Sequence, residues 1–217
     1  MPTFSDLSRA AYCPRQLYYA RRDDDRGPPP EVEARQALAF RYDELRTADD
    51  GTLADLPIEC SPPAYRDALE RLSTRADWER LCDPTERDYH VEGKDCHGRI
   101  HKLLAGEPPT PTVISPGTPP EQGVWEPQSV RAVAVANALA WERQQEIPRA
   151  LVEYPAVGVV REVELTCRRT ATYRRVLRTV RSMDGPPPRV DDNRCESCEY
   201  RTECGVTTRS LRSLLGL

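Results

Sequence analysis

Arg194-Cys195-Glu196-Ser197-Cys198-Glu199-Tyr200-Arg201-Thr202-Glu203-Cys204 is a C-x2-C-x5-C run that places three thiols within ten residues near the C-terminus. A tetrahedral metal or an iron–sulfur centre asks for a fourth ligand. The best candidate stands at the other end, Cys13 in Tyr12-Cys13-Pro14-Arg15-Gln16-Leu17-Tyr18-Tyr19. Thiolates are soft ligands that suit Zn²⁺ or iron–sulfur clusters. The four cysteines do not follow the compact ferredoxin spacing, and the N-terminal part lacks the second C-x2-C knuckle usual in structural zinc sites. The working expectation is an iron–sulfur cluster on Cys13, Cys195, Cys198 and Cys204 that closes the fold. Zinc, and unligated or disulfide-bonded cysteines, stay open as alternatives. Cys60, Cys82, Cys96 and Cys167 are isolated and read as structural.

The chain has 217 residues, 8 cysteines, 21 prolines and a net charge of −4. That length can bury a core as one domain or as a domain with a lobe. No run of eighteen apolar residues occurs, so no membrane span is expected. Met1-Pro2-Thr3-Phe4-Ser5-Asp6 lacks the basic and apolar regions of a signal peptide. A reduced, cytoplasmic protein is therefore expected, in which cysteines read as ligands sooner than as disulfides. Of the 31 basic residues, Lys94 and Lys102 are the lysines and the rest are arginines. Arginine suits phosphate contacts, although a bias in genome composition gives the same excess.

Working outward from the cysteines, Ser5 is expected to cap a first helix with Leu7, Ala10 and Ala11, and Pro14 to open a second. Glu31 to Arg46 reads as a helix, Asp49-Asp50-Gly51 as a turn, and Pro62 to Leu81 as another helix. The period then shortens. Tyr89 and Val91 alternate with polar neighbours, Gly93-Lys94-Asp95 turns, and Arg99–Ala105 and Thr112–Ser115 read as strands. Ser129–Arg143 is a helix rich in Ala and Val, apolar nearly all round, as expected of one packed on a sheet. Arg149–Tyr154 and Val157–Leu165 form a strand pair, and Thr166 caps a helix over 168–183. A short helix through Leu211, Leu214 and Leu215 ends the chain. The outcome is an α/β protein. It divides into a mainly helical lobe (1–84), an α/β core (85–184) and a cysteine-bearing C-terminal segment (185–217).

Three stretches resemble the CRISPR-associated RecB-like exonucleases, the Cas-four type. They are Tyr12–Tyr19, Trp125-Glu126-Pro127 running into the helix to Glu142, and Pro186-Pro187-Pro188 followed by Cys195, Cys198 and Cys204. The resemblance implies a PD-(D/E)XK, restriction-endonuclease-like core and a 4Fe–4S cluster on the four matching cysteines. It also implies DNA as partner, single-stranded or at ends, work with the CRISPR integrase in spacer acquisition, and a place in antiviral defence.

The chain departs from that pattern at the chemistry. Cleavage in the family uses Mg²⁺ or Mn²⁺ held by hard oxygen ligands, with a lysine near the phosphate. The family's aspartate falls on His101 of Gly98-Arg99-Ile100-His101, and its Glu-x-Lys strand reads Val113-Ile114-Ser115-Pro116-Gly117. The helix histidine of the family falls near Arg41 or Tyr42, and the later Gln and Tyr near Arg131 and Val135. No catalytic residue is therefore assigned. Glu92-Gly93-Lys94 is literally Glu-x-Lys but precedes the Gly-x-Ile strand and reads as a charged hairpin. His90, His97 and His101 lie within twelve residues, and a metal site on them is the weaker alternative to solvated or core histidines. The expected function is a catalytically degenerate, iron–sulfur DNA-binding or adaptor protein. The alternative is an active, metal-dependent single-stranded DNA exonuclease with relocated carboxylates. Arg168, Arg169, Arg174, Arg175, Arg178 and Arg181 offer phosphate contacts or merely a solvated helix face.

Overall fold

The computed structural model describes residues 1–23, 27–190 and 193–205. The expected last helix through Leu211 lies outside the described residues. Helix α1 (Phe4–Tyr12) is capped by Thr3, whose side chain accepts from the Asp6 N–H, and not by Ser5. Cys13 is extended, and Pro14 opens α2 (Pro14–Ala20) at a position where its missing N–H costs nothing.

The expected helix over 31–46 is broken. Helix α3 (Pro30–Ala37) tightens into a 3₁₀ turn over Leu38–Phe40, and α4 (Tyr42–Arg46) follows after Arg41 leaves helical geometry. The reason lies in the core, where the Ala39 carbonyl accepts from Lys102 Nζ at 2.6 Å. Asp49 is not a turn residue but the cap of α5 (Asp50–Ala54), taking the Thr52 N–H at 2.9 Å. The expected helix over 62–81 also divides, into α6 (Pro62–Ser73) and α7 (Trp78–Cys82). Ser73 and Thr74 hydroxyls bond back to Glu70 and Arg71 carbonyls. Such bonds offer the backbone an alternative to continuing the helix.

Strands β1 (Glu86–Glu92), β2 (His97–Leu104) and β3 (Thr110–Ile114) form an antiparallel meander. Helix α8 (Glu126–Arg143) crosses over to β4 (Arg149–Tyr154), which lies parallel to β3. A 3₁₀ turn over Pro155–Val157 returns the chain as the antiparallel β5 (Val159–Glu164), and α9 (Cys167–Arg181) follows, capped by Thr166 as expected. Among the described residues these strands form one five-stranded sheet in the order β1-β2-β3-β4-β5.

Side chains alternate across a strand, and here the two faces feed two cores. Val113, Ala150, Val152 and Tyr154 join a cluster with α1, α8 and α9. Leu104, Ile114, Leu151 and Val160 join Leu38, Tyr42, Leu53, Tyr65 and Leu81 from the N-terminal helices. The sheet thus has helices on both faces. Helix α8 is apolar on most sides because it lies between the sheet and α1, with α9 also against it. Among the described residues no helix is long and apolar enough to cross a membrane.

Candidate functional site

The sequence of Tyr12–Tyr19 turns α1 into α2 through Cys13, and the segment after α9 returns to meet it. Arg15 donates to the Pro187 carbonyl at 2.7 Å, Tyr19 Oη to the Glu203 carbonyl at 3.1 Å, and Arg194 to the Tyr12 carbonyl at 2.5 Å. The Tyr19 and Tyr200 rings stack at 6.0 Å. Cys13, Cys195, Cys198 and Cys204 line one small pocket of about 20 Å³ with Tyr19 and Tyr200. All four are half-buried free thiols. Burial pushes the Cys198 thiol up, the Tyr200 N–H draws it back, and the neighbouring Cys13, Glu199 and Cys195 push it further. Burial works against the Arg15 guanidinium, but its bonds to Tyr19 and the Cys204 sulfur outweigh that and raise its pKa.

The four sequence-predicted ligands, 182 or more residues apart for the pairs with Cys13, therefore surround one space. Among the described residues no three His, Cys, Asp or Glu side chains form a group that could hold a single metal ion as they stand. The donor set fits an iron–sulfur cluster in kind, since it is all thiol and comes with enclosing aromatic and guanidinium groups. The remaining cysteines lie elsewhere. Cys96 is buried beside Tyr173 Oη at 3.5 Å, Cys60 and Cys82 pack against the second core, and Cys167 is exposed at the start of α9.

The second feature is a cleft of about 990 Å³ between α1 and the N-terminus of α8. Behind it, β2 and β3 part beyond the Lys102–Thr112 pair, and His101 fills the gap. The Ile114 N–H donates to His101 Nδ1 at 3.2 Å, which fixes a neutral ring with its proton on Nε2. Burial holds the His101 pKa well below the histidine range, and the charges of Arg131, Arg99 and Lys102 hold it lower still. Ser115, where the family pattern would end its Glu-x-Lys strand, is buried and accepts from Gln128 at 3.3 Å. Arg131 lines the cleft, with its Nε sealed from solvent and unpartnered. Burial and the nearby Arg99 bring its pKa down to about 10, so it stays charged at neutral pH.

A carboxylate and a lysine do meet, but across the sheet. Lys102 Nζ lies 2.8 Å from Glu153 Oε2 and also donates to the Ala39 and Leu81 carbonyls. Thr112 donates to the other Glu153 oxygen at 2.6 Å. The pair is fully enclosed, with the rings of Tyr42 and Phe40 beside the ammonium. Every oxygen and proton is committed inside the second core, away from the cleft. The alternation of β2 signals that Lys102 opposes His101 in direction, but its partner Glu153 was not singled out from the sequence, nor was the role of Arg131.

Glu92, Gly93 and Lys94 form the end of β1 and the hairpin turn, with Lys94 over the Trp141 ring at 5.7 Å. His90 and His97 stack at 5.9 Å on neighbouring strands, while His101 is bound to β3. Of the α9 arginines, Arg175 pairs with Glu126, Arg181 with Asp95, and Arg169 with the Glu164 carbonyl. Arg168, Arg174 and Arg178 are exposed. The chain matches no protein-family model and no curated protein.

Proposed function

We propose that this protein is a CRISPR-associated, RecB-like nuclease-fold protein that has lost cleavage and serves as an iron–sulfur-stapled DNA-binding or adaptor protein. It would act in the cytoplasm during spacer acquisition, with DNA ends and the CRISPR integrase as partners. The observation that carries the reading is the chemistry around His101. The charges acting on this buried ring are those of Arg131, Arg99 and Lys102, where hydrolysis would need carboxylates around a divalent metal. Its Nδ1 is already committed to the Ile114 N–H. The nearest lysine–carboxylate pair is sealed on the opposite face. The meander, crossover helix and strand pair are compatible with a PD-(D/E)XK core.

Cys13, Cys195, Cys198 and Cys204 would hold the 4Fe–4S cluster. When bound, the cluster supplies a covalent tie between the two ends of the chain. The protein's own residues already bring those ends together through Arg15, Tyr19 and Arg194. Tyr19 and Tyr200 line the pocket and stack on each other at its wall.

The test is an assay on end-labelled single-stranded DNA with Mn²⁺, using anaerobically purified protein of measured iron content. Intact DNA with iron present supports the reading. Degradation that a chelator abolishes would overturn it in favour of a nuclease with relocated ligands.

A further inference from the structure

The geometry points to the cleft between α1 and α8 as a metal-independent phosphate site for single-stranded nucleic acid, with Arg131 as its resident cation and Trp125 as its base platform. This rests on the DNA-binding reading above and deepens it.

Arg131 is half-buried on the cleft wall, with its Nε sealed from solvent, and a charge so placed is normally paired. Arg131 makes no hydrogen bond or ion pair among the described residues, and its enclosed Nε has no acceptor. A guanidinium presents a planar fork of donors that matches phosphate oxygens, and it needs no metal to do so. The N-terminus of α8 opens on the same cleft, and its cap residue Trp125 offers no side-chain hydrogen bond to the first N–H groups. Pro127 has no N–H, so the free donors of that turn are the Glu126 and Gln128 N–H groups, and these with the helix dipole favour an anion there. Arg9 and Arg194 also line the cleft, against one carboxylate, Glu126, which Arg175 holds at 3.4 Å. Arg194 is itself tied to the Tyr12 carbonyl, so it shapes the wall with its charge in place.

Trp125 supplies the second, independent observation. It is 53% exposed at the rim, yet its indole N–H donates to the Thr118 carbonyl at 2.9 Å. An exposed tryptophan held in one orientation is a ready face for stacking. A phosphate on Arg131 and a base on Trp125 use every base alike, since each has a π-face. The site would therefore be tolerant of sequence and indifferent to divalent metal.

The test is binding of a fluorescein-labelled oligothymidylate, with and without a 5′-phosphate, in EDTA. Arg131→Met and Trp125→Ala are compared with the native protein, and each variant's thermal midpoint is recorded. Trp125→Ala alters a rim residue, so it reports even if Arg131→Met fails to fold. Binding in EDTA that weakens about tenfold or more in both variants supports the site. A preference for the 5′-phosphorylated oligomer assigns the phosphate to a strand end, and equal binding assigns it to an internal phosphodiester. Native binding that neither variant weakens overturns the site and leaves the DNA-binding reading standing. No binding by the iron-loaded native protein overturns both.

Discussion

Lys102 Nζ stands 2.8 Å from Glu153 Oε2 with neither side chain reached by solvent, and this pair locks the middle of the sheet to the N-terminal helices. The ammonium spends its other protons on carbonyls of Ala39 and Leu81, from two different helical segments. Lys102→Met alone would leave Glu153 charged and enclosed, and removing one partner of a buried pair costs about 3–5 kcal/mol. The double variant Lys102→Met, Glu153→Leu removes both charges and should cost less than either single change. Urea denaturation of the three variants checks this. A double variant as damaged as the sum of the singles would show that the pair is not coupled.

Gly93 lets the β1–β2 hairpin lie on α8. A Cβ there would stand 2.5 Å from Ala138 Cα and 2.7 Å from its Cβ. Neither atom is a flexible side-chain tip, so helix or hairpin must shift. Gly93→Ala should lose about 1–3 kcal/mol, the usual cost of overpacking. Gly117→Ala, where nothing lies within 4 Å, is the control and should change stability by less than about 0.5 kcal/mol. Thermal melts of the two variants side by side decide the matter.

Arg15 joins the second helix to the returning C-terminal segment through Pro187 and the Cys204 sulfur. Its removal in Arg15→Ala should cost about 1.5–3 kcal/mol, in the range of a hydrogen bond from a charged donor. The effect should be local. Limited proteolysis should cut within 185–205 faster, while the sheet core keeps its melting midpoint within about 1 °C of native after the segment has opened. Equal cleavage rates in the native protein and the variant would remove Arg15 from this role.

Four of the five strands and the two long helices α8 and α9 were legible because their patterns are local, and the first strand showed only as an alternation without bounds. Alternation from Tyr89, the Ala/Val run of α8 and the Thr166 cap each declare an element without knowledge of its neighbours. That Cys13 and the C-terminal cysteines would line one pocket was legible through thiol chemistry, which is indifferent to sequence distance. The breaks at Arg41 and near Thr74 were not legible. The first depends on Lys102, more than sixty residues away, capturing the Ala39 carbonyl. The second follows local back-bonding by Ser73 and Thr74 and an Arg75–Asp77 pair that helical periodicity does not register. His101 was found as a departure from a pattern. Its use as a splice between β2 and β3 needed the register, because only there does the Ile114 N–H lose its strand partner.

That splice gives His101 a measurable pH signature. In the folded protein its ring is held neutral, by burial first and then by Arg131, Arg99 and Lys102, so its pKa is depressed. The unfolded chain's histidine titrates near about 6.5. Below that value the unfolded state binds a proton that the folded state refuses. The stabilising contribution of the neutral ring is therefore present above about pH 6.5 and is lost as pH falls toward the folded pKa, by up to about 1.4 kcal/mol per pH unit. The chain has three histidines, so the native curve alone does not isolate His101. The difference between native protein and His101→Gln does. At pH 7.5 the variant should be less stable by about 1–3 kcal/mol, because the Ile114 N–H loses a well-placed buried acceptor. The gap should narrow as pH is lowered to 5.5, since glutamine has no proton to refuse. Urea midpoints at half-unit pH steps read this directly, and a gap that stays constant across the range would mean that His101 is not held neutral in the fold.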